Sequence, residues 1–194
     1  MRPAATLPVA FPTARPRALT GAVELAVAEA AAGPGGRAAR VTAVLDAVFE
    51  AVGGAPSDVS LVRRLASGAR VWLLNRAAVI FSGEGGWFQT RCTACGAPFD
   101  FEARLGEAPT KPAGPVFPVV EVPTSLGPRS FEVPNGGHEE ALLRAAGDPR
   151  RILAGLCGLE DGAEAEAERL TEADLDRIEA MLDDAAPDVA DQAA

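Results

Sequence analysis

Trp87-Phe88-Gln89-Thr90-Arg91-Cys92-Thr93-Ala94-Cys95-Gly96-Ala97-Pro98-Phe99-Asp100-Phe101-Glu102-Ala103-Arg104-Leu105 is the stretch on which the reading of this 194-residue chain turns. Phe99, Phe101, Ala103 and Leu105 alternate with Asp100, Glu102 and Arg104, the period-two pattern of a half-buried strand. Trp87 to Cys92 supplies a matching strand, and Cys92-Thr93-Ala94-Cys95-Gly96 a tight knuckle between them. Two thiolates two residues apart on a knuckle suit tetrahedral zinc, and Gly96 lets backbone amides turn toward the sulfurs. A full site needs two more ligands. His138 and Cys157 are the remaining candidates, so a Cys92, Cys95, His138, Cys157 set is chemically allowed. Cys157, in Leu156-Cys157-Gly158 at the end of an apolar helix, reads more simply as a buried, inert thiol. No βαβ pattern surrounds the pair, which argues against a thioredoxin-like redox motif.

Outward from the knuckle, the texture is helical on both sides. On the N-terminal side Thr20 caps a helix with Val23, Val27 and Ala30 or Ala31 on one face, ended by Gly33-Pro34-Gly35-Gly36. Val41, Val44, Leu45, Val48 and Val52 form the stripe of a second helix that stops at Gly53-Gly54. Ser57 is the expected cap of a third, whose apolar face runs from Leu61 to Phe81 with a bend at Gly68. On the C-terminal side a Pro- and Gly-rich connector from Gly106 to Pro118 leads to short strands at Val119–Val122 and Ser130–Val133. Asn135-Gly136-Gly137 turns the chain into a helix near His138. Leu142, Leu143, Ile152, Leu153 and Leu156 are expected core, and residues 160–169 an exposed Ala/Glu segment. Thr171 with Asp174 three residues on, and Leu170 against Leu175, mark the start of a last helix whose inner face is Leu175, Ile178 and Leu182.

The expected fold is therefore α+β and mainly helical, with helical N- and C-terminal parts around a small antiparallel β insert bearing the CxxC knuckle. The divisions are an extended arm (1–17), a helical region (18–82), the β-rich insert (83–134), a second helical region (135–185) and a flexible tail (186–194).

Composition narrows the function. The chain carries 27 acids against 18 bases, a net charge of −9, which disfavours nucleic-acid backbones and anionic membrane surfaces. There is one His, no Tyr, and Lys111 is the single Lys, so groups that move protons near neutral pH are scarce. His138-Glu139-Glu140 is half of a zincin motif with Leu142 where the second His belongs, and reads as a helix start. Gly33-Pro34-Gly35-Gly36 and Gly83-Glu84-Gly85-Gly86 are turns without the Lys of a phosphate loop, and no GxSxG occurs. Prolines and arginines interrupt Met1–Arg17, so no signal-peptide core forms, and the apolar run Ala18–Ala32 is too short to span a bilayer. The expectation is a cytoplasmic protein, or part of a particle assembled there, that is not an enzyme.

One order of features has a counterpart. Arg17-Ala18-Leu19-Thr20-Gly21 leads into a helix with Glu24; Cys-Thr-Ala-Cys-Gly-Ala-Pro-Phe-Asp (92–100) follows the helix from Val59 to Phe81. Phe131-Glu132-Val133-Pro134-Asn135-Gly136, Ile152-Leu153-Ala154-Gly155-Leu156-Cys157 and Ala186-Pro187-Asp188-Val189-Ala190-Asp191 complete it. In these stretches the chain resembles the T4-type baseplate hub assembly chaperone family of contractile phage tails and contractile injection systems. The resemblance implies a non-enzymatic assembly factor or structural adaptor whose partners are baseplate or hub proteins. The exposed hairpin tip (Thr93, Ala94, Gly96) and the apolar helix faces are the expected contacts. The alternative is a zinc-knuckle protein-binding module in regulation, unrelated to phage tails.

Overall fold

The computed structural model describes residues 3–189; the first two positions of the expected arm and the last five of the expected tail lie outside them. From the N-terminus, β1 (Ala14–Pro16) precedes α1 (Gly21–Ala32) and α2 (Arg37–Val48), then β2 (Phe49–Val52) and β3 (Ala55–Pro56). Helices α3 (Val59–Arg63) and α4 (Ser67–Ser82) lead into the hairpin β4 (Gly85–Arg91) and β5 (Pro98–Arg104). A 3-10 turn (Leu105–Glu107) and β6 (Thr110–Lys111) connect to a second hairpin, β7 (Val119–Thr124) and β8 (Gly127–Glu132). The chain continues through α5 (Gly136–Leu142), α6 (Pro149–Cys157), α7 (Ala163–Ala167) and α8 (Glu172–Ala185) to β9 (Asp188–Val189).

This corrects the expected frame of helices around one β insert. The described chain is 44% helical and 22% strand, and its strands form four small antiparallel sheets that reach from the arm to the last described residues. Two misread signals account for most of the difference. Phe49–Val52 was expected to finish a helix, yet Gly53 and Gly54 both take positive φ (63° and 82°) and close a two-residue turn that pairs Val52 with Ala55. Gly-Gly is a hairpin signal because a type I′ turn needs φ above zero at both central positions. The Pro-rich arm, in turn, lays β1 antiparallel on β2.

One core holds these pieces. Leu45 and Val48 of α2, Ala69, Leu73 and Ala77 of α4, and Leu175, Ile178 and Leu182 of α8 meet Val120, Val122 and Phe131 of the β7–β8 hairpin. Each Val, Leu, Ile or Phe side chain so buried contributes roughly 1.5–3 kcal/mol relative to exposure. The expected continuous helix from Leu61 to Phe81 is broken between α3 and α4. Asp58 caps α3 by accepting from Leu61 N–H at 2.7 Å, while Ser57 donates to Asp46 at 3.2 Å instead. In the C-terminal part Ala154 and Cys157 are buried, whereas Leu143, expected inside, is 61% exposed. Residues 160–169 are tied down: Arg129 donates to both Glu166 carboxylate oxygens at 2.8 and 3.1 Å.

Both ends of the described chain are docked. Thr6 is buried, with its N–H on Glu132 Oε2 at 2.6 Å and its hydroxyl on Val133 O at 2.7 Å. β9 pairs with β6, and its approach passes over Gly68, where a Cβ would stand 1.9 Å from Pro187 O. No helix among the described residues is long and apolar enough to cross a membrane.

Candidate functional site

β4 and β5 pair in unbroken register from Gly85↔Arg104 to Arg91↔Pro98. Alternation then sorts their side chains onto two faces. Phe88, Thr90, Phe99 and Phe101 share one; Trp87, Gln89, Arg91, Asp100 and Glu102 share the other. The Phe101 ring centroid lies 5.8 Å from that of Phe88 and 6.1 Å from that of Phe99, so the three rings form a ladder. Neither face is covered: Trp87 is 74% exposed and Phe99 46%.

At the far end Cys92 N–H donates to Ala97 O at 2.9 Å and Gly96 N–H to Cys92 O at 2.8 Å. Gly96 takes φ +72°, a left-handed conformation that glycine adopts without a Cβ penalty. Arg91 Nη1 donates to Gly96 O at 3.1 Å and braces the tip. The backbone N–H groups of Cys95 and Ala94 and the Cys95 thiol converge on the Cys92 sulfur and hold its pKa below the ordinary thiol value. Thr93, Ala94, Cys95 and Gly96 are exposed, and Cys92 partly so.

The other two candidates lie elsewhere, in the core. Asn135 caps α5 through Oδ1, which accepts from Gly137 and His138 N–H at 2.8 and 3.1 Å, and Asn135 N–H donates back to His138 Nδ1 at 3.2 Å. Nδ1 is therefore an acceptor and the ring proton sits on Nε2. Nε2 faces Glu132 Oε1 at 3.3 Å, an electrostatic contact rather than an aligned hydrogen bond. Burial pushes the Glu132 carboxyl up, but His138 and the Thr6 amide outweigh it and hold it below its usual range. Cys157 Sγ lies 3.8 Å from His138 Nδ1, a thiol–imidazole neighbourhood that the sequence reading did not foresee. His138 and Cys157 are both 0% exposed, so this row ties β8, α5 and α6 together and offers no approach to a substrate.

The Cys92, Cys95, His138, Cys157 set does not assemble within one chain. Among the described residues no three or more His, Cys, Asp or Glu side chains group closely enough to hold a metal ion. The knuckle presents two thiols, which is half the donor set of a tetrahedral structural zinc.

Arg70 is a buried charge that the sequence does not single out, and Asp174 is held by more than the helix cap expected of it. Arg70, 1% exposed on α4, donates from Nη1 to Val62 O at 3.1 Å and from Nη2 to Ala38 O and Thr42 Oγ1 at 2.8 and 3.1 Å. Desolvation lowers its pKa from the ordinary value, and Glu139 and Glu140 work against that. Its only trace in the sequence is Gly136, where a Cβ would stand 2.3 Å from Arg70 Nη1. Asp174, expected as the helix-cap partner of Thr171, also accepts from Ser125 N–H at 2.9 Å and Ser125 Oγ at 2.6 Å, locking the β7–β8 turn to α8. Burial pushes its pKa up, but the Ser125 and Thr171 donors overcome that and hold it far below the usual carboxylate range.

A cleft of about 590 Å³ lies beside β9 and is lined by Ser67, Lys111, Glu179 and Asp183 among others. Lys111 is already engaged there with Asp183 O. Comparison with protein-family models, with curated proteins and with solved structures finds no match for the chain.

Proposed function

We propose that this chain is a non-enzymatic assembly factor or structural adaptor that binds other proteins through its exposed apolar surfaces. The observation that carries the reading is the distribution of those surfaces. The β4–β5 hairpin holds Trp87, Phe88 and Phe99 in solvent, and α1, apolar along most of its length, has no buried residue and leaves Leu25 60% exposed. Apolar side chains held in water on ordered elements are the mark of a partner surface. The chain's one imidazole and its buried Glu132 meanwhile serve the core. In this reading the partners are baseplate or hub proteins of a contractile tail-like particle, as the family resemblance implies, and the chain acts in the cytoplasm where such particles are assembled.

The test is gentle purification of the tagged chain from its native host, with mass spectrometry of what accompanies it. Baseplate, hub or spike proteins are expected with the wild type and are lost with Leu25→Glu. Recovery of a transcription complex, or of the same partners by both proteins, overturns the proposal. Presence in finished particles identifies an adaptor, and absence from them an assembly chaperone.

A further inference from the structure

We infer that Cys92 and Cys95 are half of a zinc site completed by the same two residues of a second copy, so that one tetrahedral four-thiolate centre on a two-fold axis joins two hairpins tip to tip. Three features of the hairpin lead there. The first is donor count. Structural zinc takes four ligands, and the knuckle supplies two. The chain's remaining His and Cys are sealed in the core at 0% exposure, so they cannot complete it. A four-thiolate centre at this knuckle therefore takes its other pair from another chain, and a two-fold axis through the metal doubles whatever one copy presents.

The second feature is preorganisation. The Cys92–Ala97 and Cys92–Gly96 hydrogen bonds and the left-handed Gly96 fix the loop that carries both thiols. A loop held in this way orients its ligands before a metal arrives. Arg91, pinned to Gly96 O, brings one positive charge per copy to a centre that would carry −2, while each whole chain carries −9. Two such acidic chains repel each other at long range, so contact between them needs a specific local link, which the metal provides.

The third is reach and cover. Seven paired positions carry the tip roughly 20 Å from the hairpin's root, which lets two tips meet while the bodies stay apart. A lone two-stranded hairpin is marginal in water, and the Phe88–Phe101–Phe99 ladder is one uncovered apolar face. A metal clamp at the tip restrains both hairpins, and Phe99, the ring nearest the tip, is where the two copies can touch.

This inference deepens the hairpin half of the proposed function and leaves α1 for the heterologous partner. It is tested on the purified full chain in reductant with added zinc, by light scattering and metal titration. One zinc per two chains is expected, in a dimer that reverts to monomer with EDTA. Cobalt substituted for zinc should show the intense absorption of a tetrahedral four-thiolate site. Cys92→Ser and Cys95→Ser should each be monomeric and metal-free with unchanged circular dichroism, since neither thiol enters the core. One zinc per monomer, no zinc uptake, or a dimer that survives EDTA or either substitution overturns the inference. Zinc retained only in a complex with a different protein also overturns it, in favour of a heterologous knuckle. A wild-type chain that stays monomeric with zinc while baseplate proteins are still recovered refutes this site and leaves the adaptor reading standing.

Discussion

Replacing Arg70 with Met keeps the length of the apolar stem and deletes the guanidinium fork. The fork makes three hydrogen bonds, to Val62 O, Ala38 O and Thr42 Oγ1, and its Nε faces Glu139 at 3.4 Å. Bonds from a charged donor are worth about 1.5–3 kcal/mol each, and breaking a buried charged pair costs about 3–5 kcal/mol. The cost here is tempered by the partners left behind. The Thr42 hydroxyl, with its one proton, still donates either to Ala38 O at 3.1 Å or to Glu140 Oε1 at 2.9 Å, and Glu140 keeps Arg63. The Glu139 side chain is 35% exposed and returns to water. A loss of about 3 kcal/mol follows, a large share of the roughly 5–15 kcal/mol that holds a domain folded. At about 2–3 kcal/mol per M, the urea midpoint should fall by roughly 1–1.5 M with an unchanged slope, read by circular dichroism. Arg70→Lys separates charge from geometry. An ammonium retains the charge but cannot span acceptors on α2 and α3 at once, so it should lose nearly as much. Full stability in the lysine variant, or a methionine variant within about 0.5 kcal/mol of wild type, would refute the view that the fork pins these helices.

Other outcomes follow from the same contacts. Asp174→Ala leaves Thr171 Oγ1 capping the α8 backbone but removes the carboxylate that accepts from Thr171 N–H and Oγ1, and it strands both Ser125 donors, so it should cost about 2–3 kcal/mol in the same denaturation assay. Because the folded carboxyl titrates below its unfolded value of about 3.9, its contribution is complete above that pH and fades as pH falls beneath it. Wild type should therefore lose stability more steeply than Asp174→Ala between about pH 5 and pH 2. Gly68→Ala drives a methyl into the Pro187 carbonyl, so hydrogen exchange should show faster amides at 110–111 and 188–189 with the α2 and α8 amides still protected. Leu25→Glu sits on a helix with no buried residue, and should leave stability within about 0.5 kcal/mol while abolishing partner recovery.

How far the chain could be read depended on how local each contact is. The Thr171–Asp174 capping box, the Asn135 cap, the half-buried Val23 and Val27 of α1 and the strand–knuckle–strand at Cys92 all appear where residue spacing puts them. The Gly53-Gly54 hairpin is also written locally, but Val48 and Val52 continue a helical stripe as readily as they begin a strand, so the sequence reads equally as a helix end. Residues farther apart left no such mark. Nothing near Arg70 says that a charge on an apolar helix will find carbonyls on α2 and α3, and nothing near Thr6 names Glu132, 126 positions on. The sequence allows His138 and Cys157 as partners of the Cys92 pair while reading Cys157 more simply as a buried thiol, and the fold decides by placing both inside the core and the knuckle in solvent. Caps, turns and the knuckle follow from spacing, since their donors and acceptors lie within about four residues of each other. The neighbours of buried charges, the docking of the arm and β9, and the separation of the two halves of the expected metal site follow from how helices and sheets pack. Packing selects one partner among many chemically equivalent ones, and short-range pattern carries no record of that choice.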